Sequence, residues 1–212
     1  MARRLPVYIL IDTSGSMKGE PIESVKVGLS DMVASLRLDP YALETACLSI
    51  ITYDREVKQI LPLTELENLQ LPEIVVPESG PTFMGAALNL LCDKYDSEVS
   101  KGSKEQKGDW MPLLFVLTDG KPSDLQVYEE AISRVKKYQF TNIVACAAGP
   151  KAHTEPLKKL TDNVFRLDSM DSNTFKKFFQ WVTINVQNGG RTMGISEGTE
   201  LPAPPPEVNI VI

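Results

Sequence analysis

The sequence predicts an α/β fold: a doubly wound, mostly parallel six-stranded sheet with helices on both faces. The expected strand order is 3-2-1-4-5-6, with a short antiparallel edge strand. Three observations lead there. Apolar runs of strand length alternate with segments of helical period. The runs at 7–11 and 113–117 hold no charged residue, as expected of strands buried on both faces. The connection at 53–56 is too short for a crossover helix, so the strand after it is antiparallel and lies at an edge.

Residues 7–11 form the first strand. Ile22, Val25, Leu29, Met32, Val33 and Leu36 then recur at helical spacing, with Pro21 suited to a first helical turn. Residues 46–53 form the second strand and 57–61 the edge strand. Three prolines and no sustained period make 62–80 a loop. Thr82 opens a helix carrying Met84, Ala87, Leu88 and Leu91. The charged stretch 101–108 reads as a solvated loop. Residues 112–117 are the next buried strand. Ser123 to Gln126 has the spacing of a capping box, ahead of a helix using Leu125, Tyr128, Ala131, Ile132 and Val135. Strands at 141–147 and 163–167 flank a short helix at 154–160. A final helix starts near Asp171, with Ser172 or a neighbour as cap. It presents Phe175, Phe178, Phe179, Val182 and Val186 on one face, a helix core rather than an aromatic cofactor box. Trp181 falls off that face and is expected to be partly exposed, marking a contact surface.

The chain has 212 residues, enough for one domain with a sizeable core. We divide it into a domain at 1–187 and a Gly/Pro-rich tail at 188–212. The end of the tail, 208–212, is apolar and β-branched, suited to adding a strand at a sheet edge or filling an apolar groove. The host is this domain or a second copy, which leaves tail-mediated self-association open. Twenty-two basic against 28 acidic residues give a net charge of −6, which argues against a nucleic-acid binder. No apolar run approaches the ~20 residues of a membrane span. Arg3 and Arg4 precede an apolar stretch that ends at Asp12 with no small-residue cleavage site, so the start reads as the lead-in to a strand and not a signal peptide. Cys47, Cys92 and Cys146 read as reduced core thiols of a cytoplasmic protein. His153 is the one histidine, which removes any multi-histidine metal site.

The informative segment is Asp12-Thr13-Ser14-Gly15-Ser16, directly after the first strand. In open α/β sheets, ligands sit outside the carboxyl ends of the strands where the winding reverses. Asp12 ends the first strand, and Asp119, in Leu117-Thr118-Asp119-Gly120, follows its neighbour. Two carboxylates therefore face one crevice. Ser14 and Ser16 project from the same loop, and Thr82 reaches in from the side. This all-oxygen set with two carboxylates suits a hard divalent cation, Mg²⁺ best and Mn²⁺ also, and leaves room for an outside ligand. A partner's Glu or Asp would complete it.

The Asp-x-Ser-x-Ser triplet, Thr82 and the downstream Asp119-Gly120 resemble the metal-ion-dependent adhesion site of von Willebrand factor A domains. The resemblance covers about 6–186. It implies a doubly wound sheet and a Mg²⁺ site mediating protein–protein contact, with Ser14, Ser16 and Thr82 as direct ligands. Asp12 and Asp119 would act directly or through water. The segments 5–12 and 112–120 are similar to tellurium-resistance proteins of the TerY type, bacterial cytosolic members of the group, which implies a stress-response setting.

Each residue also has a plain structural use. Asp12 suits a strand end, Ser14 and Ser16 suit a turn, Thr82 suits a helix N-cap and Asp119-Gly120 is an ordinary turn dipeptide. The competing function is a Mg²⁺-dependent phosphatase or phosphotransferase of α/β fold. Against it, Ser14 stands where an aspartyl phosphatase carries its second Asp. Walker-type, nucleophile-elbow and dinucleotide-binding glycine motifs are absent. The expectation is a non-enzymatic interaction module.

Overall fold

β1 (Leu5–Asp12) is buried at all eight positions, because it lies between two layers of helix. Its alternating side chains supply two separate cores. Val7, Ile9 and Ile11 pack with α1 (Glu20–Arg37) and α6 (Ser172–Thr192). Tyr8 and Leu10 pack with α3 (Met84–Glu98), α4 (Leu125–Val135) and α5 (Glu155–Leu160). Burying each such aliphatic side chain stabilises the fold by about 1.5–3 kcal/mol before ordering costs. The computed structural model describes residues 3–78, 80–103, 107–149, 152–192 and 201–211. Residues 104–106 of the charged loop therefore lie outside it, as do 193–200 and Ile212 of the tail.

The remaining strands are β2 (Ala46–Tyr53), β3 (Val57–Glu65), β4 (Leu113–Thr118), β5 (Asn142–Ala148), β6 (Val164–Leu167) and β7 (Val208–Ile210). Their order is β3-β2-β1-β4-β5-β6-β7. β2, β1, β4, β5 and β6 are mutually parallel, while β3 and β7 run antiparallel to their neighbours. The expected order holds, with one strand more than the six anticipated.

The added strand comes from the tail. Val208 pairs with Leu167 and Ile210 with Phe165, and Val211 N–H donates to the Val164 carbonyl at 2.9 Å. This also corrects the expectation for Trp181, which is 2% exposed. Its outer face is covered by the tail: the indole Nε1–H donates to the Pro202 carbonyl at 2.9 Å, and the ring lies 4.7 Å from that of Phe165. The surface that Trp181 marks is thus filled by the chain itself. α6 continues past 188 to Thr192, so the change in composition does not coincide with the end of the helix.

Two other elements differ from expectation. β3 runs on to Glu65 through Pro62, which falls in a register shift between the Ile50–Leu61 and Leu48–Thr64 pairs. A proline costs no ladder hydrogen bond at an edge bulge. α2 (Pro40–Thr45) is additional. Asp39 caps it, accepting from Tyr41 N–H and Ala42 N–H, and Pro40 supplies the first-turn geometry. Cys47, Cys92 and Cys146 are buried and unpaired, and His153 is exposed. Among the described residues no helix is long and apolar enough to cross a membrane.

Candidate metal centre

β1 and β4 are adjacent and parallel, with Ile11 opposite Leu117, so their carboxyl ends deliver Asp12 and Asp119 to one crevice. Asp12 is fully buried. One of its oxygens accepts from Ser14 N–H at 2.8 Å, and the other accepts from the Thr118 hydroxyl at 2.6 Å. The Thr118 oxygen in turn accepts from Gly120 N–H at 3.2 Å. The strand end, the loop after it and the turn after β4 are thereby tied together.

The loop turns because Gly15–Met17 forms a 3-10 turn with Met17 fully buried beneath it. That winding brings the Ser14 and Ser16 hydroxyls to 3.1 Å. Thr13 faces the other way, donating from its hydroxyl to Asp54 at 2.9 Å. Ser16 is close enough to Asp119 to help hold its carboxyl down against burial. Thr82 is buried, and its Oγ1 lies 3.7 Å from where a Cβ on Gly120 would stand. Asp12, Ser14, Ser16, Thr82 and Asp119 thus lie around the adjacent carboxyl ends of β1 and β4.

Thr82 is not the cap of α3. The N-cap position is Phe83, with no side-chain bond. The apparent capping box at 123–126 serves a different purpose as well. No side chain caps α4 at its N-cap Asp124. Instead, Ser123 Oγ accepts from Thr82 N–H at 3.0 Å, and Ser123 N–H donates to the Thr82 carbonyl at 2.9 Å. The Asp124 carboxylate accepts from Gly85 N–H at 3.1 Å and Ala86 N–H at 2.9 Å. Thr118, Ser123 and Asp124 escaped the sequence reading. Their proximity to Asp119 in sequence was visible, but their partners lie far along the chain.

Electrostatics set the character of the site. Burial pushes the Asp12 carboxyl up to about 6; the bonds from Thr118 and Ser14 oppose the shift, and the charge of Asp119 adds to it. Burial also raises Asp119, against the bond from Ser16. Asp119 Oδ1 is buried without a hydrogen-bond partner, a costly state for a carboxylate oxygen. Two buried carboxylates beside three hydroxyls fit a hard divalent cation, which would offset both charges. Among the described residues no group of three or more His, Cys, Asp and Glu forms a metal cluster of the carboxylate-rich or thiolate kind.

Comparison with known proteins points one way. The model of the von Willebrand factor type A domain matches residues 7–181. Bovine matrilin-1 is 30% identical over 126 residues, covering 58% of this chain and 22% of that protein. The chain thus spans about a fifth of that relative's length. Among solved structures, proximal thread matrix protein 1 of the mussel byssus aligns with a TM-score of 0.64 at 16% identity, covering 87% of this chain and 48% of that one. A further structure of the mussel protein, with a zinc-occupied MIDAS motif, has a TM-score of 0.59 at 18% identity and covers 86% of this chain and 46% of that one.

Proposed function

The chain belongs to the von Willebrand factor type A domain family, and from that premise we propose that it is a non-enzymatic protein-interaction module that works through a Mg²⁺ or Mn²⁺ site. The proposed ligands are Ser14, Ser16 and Thr82, with Asp12 and Asp119 acting directly or through water. Bound there, the cation would supply a Lewis-acidic position open to a partner's Glu or Asp. The chain's own part is to hold the oxygens. Asp12 fixes its loop through Ser14 N–H and is itself fixed by Thr118. The Ser16 hydroxyl sits 3.1 Å from that of Ser14.

The observation that carries this reading is Asp119 Oδ1, buried without a hydrogen-bond partner at the strand end beside that of Asp12. The zinc in the mussel relative's motif supports a divalent ion in this fold. Nothing in the geometry favours the phosphatase alternative, since Ser14 leaves it without a second aspartate in the first loop. Three buried, unpaired thiols support a reducing, cytoplasmic setting. The likeness of 5–12 and 112–120 to TerY-type proteins supports a stress or tellurium-resistance context.

Melting the chelated protein with and without Mg²⁺ or Mn²⁺ tests the site. An ion that binds only the folded state raises the melting temperature by mass action. Asp12→Ala should abolish the rise and keep the fold. An equal response from parent and variant would overturn the assignment.

A further inference from the structure

We propose that Ser123 and Asp124 are positioning residues that hold Thr82 in place at the metal centre. This rests on the metal-site reading above. A ligand hydroxyl is useful only if held within a fraction of an ångström of its productive position, and Thr82 sits in a loop, outside the helix that follows it. Its own helix does not anchor it through a side-chain cap. Both of its backbone polar groups are satisfied by Ser123. Three and four residues further on, Gly85 and Ala86 N–H are taken by the two oxygens of Asp124. This places a carboxylate at the positive end of α3, where charge-assisted bonds are strongest.

The clamp closes only because position 85 is glycine. A Cβ there would stand 2.4 Å from the Tyr128 backbone nitrogen, so the first turns of α3 and α4 meet backbone to backbone. Ser123 and Asp124 are residue types that normally cap their own helix. Here their side chains serve the Thr82 loop instead. They also follow directly from the turn bearing Asp119. The segment 119–124 therefore carries one carboxylate to the site and grips the backbone of Thr82, whose hydroxyl lies beside Gly120. Thr82 is thereby fastened to the segment that follows Asp119, which is itself tied to Asp12 through Thr118.

The test is Mn²⁺ binding to the full chain, read from the resonance of free Mn²⁺ in titrations of the parent, Thr82→Ala, Asp124→Asn and the double variant. Removing a partner that orients a ligand typically costs about 10–100-fold in metal affinity. Asp124→Asn should therefore weaken Mn²⁺ about tenfold. Thr82→Ala should weaken the parent comparably and cost less than about twofold more in the Asp124→Asn background. A purely structural role would lower the melting temperature without this coupling. If Asp124→Asn does not fold, Ser123→Ala replaces it in the same cycle with the same expectation. Full additivity with Thr82→Ala, or parental affinity in the clamp variants, would overturn the clamp while leaving the site assigned. A parent that binds no Mn²⁺, or an Asp12→Ala variant that binds as the parent does, would overturn the site and the clamp with it.

Discussion

The Thr118 hydroxyl donates to Asp12 Oδ2 at 2.6 Å, joining two strand ends 106 positions apart in sequence. Together with the Ser14 N–H bond to the other oxygen, it satisfies a fully buried carboxylate between two parallel strands. It opposes the burial that lifts the Asp12 carboxyl to about 6. Its removal shifts the balance further toward the protonated form.

Asp12 should make the chelated protein less stable as pH rises from about 4 to about 6. Its folded pKa lies above the unfolded value, so within that window the folded carboxyl keeps a proton the unfolded chain has released. Stability falls as that proton is lost. The shift sets a ceiling of about 3 kcal/mol. Other carboxylates titrate too, so the readout is urea unfolding of the parent relative to Asp12→Asn with EDTA present. The parent should lose ground to the variant across this window and no further above it. A constant difference from pH 4 to 7 would show that Asp12 titrates normally.

Thr118→Val keeps the shape and deletes the donor. It should cost about 1–3 kcal/mol at pH 7, where Asp12 is charged, and distinctly less at pH 4. Chemical denaturation at the two pH values measures the difference. Equal losses would mean that the hydroxyl acts through the Gly120 N–H it accepts from and not through the charge on Asp12.

Gly28→Ala should destabilise the protein by about 1–3 kcal/mol, although alanine is the better helix former. The added Cβ would stand 2.2 Å from Phe179 Cδ2, where α1 and α6 cross. Adding Phe179→Leu in the same chain should recover part of the loss. A neutral or stabilising Gly28→Ala would show that the two helices can separate freely.

Deleting residues from Leu201 onward should uncover Trp181. The expected result is a red shift of tryptophan emission and a loss of about 1–2 kcal/mol, that of one or two buried aliphatic side chains after ordering costs. Trp110 lies beside Arg3, whose guanidinium carbon sits 3.6 Å from its ring centroid, and should report no change when Trp181→Phe is made in both backgrounds. Unchanged emission on truncation would place the tail off α6 in solution.

The residues that sequence made legible are those whose role is written locally. Strands such as β1 read clearly because burial on both faces leaves no polar position. That Asp12, Ser14, Ser16, Thr82 and Asp119 gather at neighbouring strand ends was legible because each follows a strand or precedes a helix. Contacts that span the chain were hidden. Ser123 and Asp124 have the spacing of a local cap, and only the folded chain turns them toward Thr82. Trp181 failed for a related reason: helical period identifies the face toward the sheet but not a second face covered by a distant tail. Pro62 broke the strand pattern on paper, yet an edge bulge asks nothing of its missing N–H.

The two flanks of the sheet share a property that matters for solubility. On one side, β3 is kinked by two register shifts, with Pro62 inside one of them. On the other, β7 offers three residues, too short a row to template another chain. A straight, long flank would invite edge-to-edge aggregation. Here the strongly β-forming β6, with Val164 and Phe165, is screened by a segment of its own polypeptide. Proteolysis ahead of residue 201 would therefore uncover β6 and leave the new flank open to the same segment from an intact neighbour.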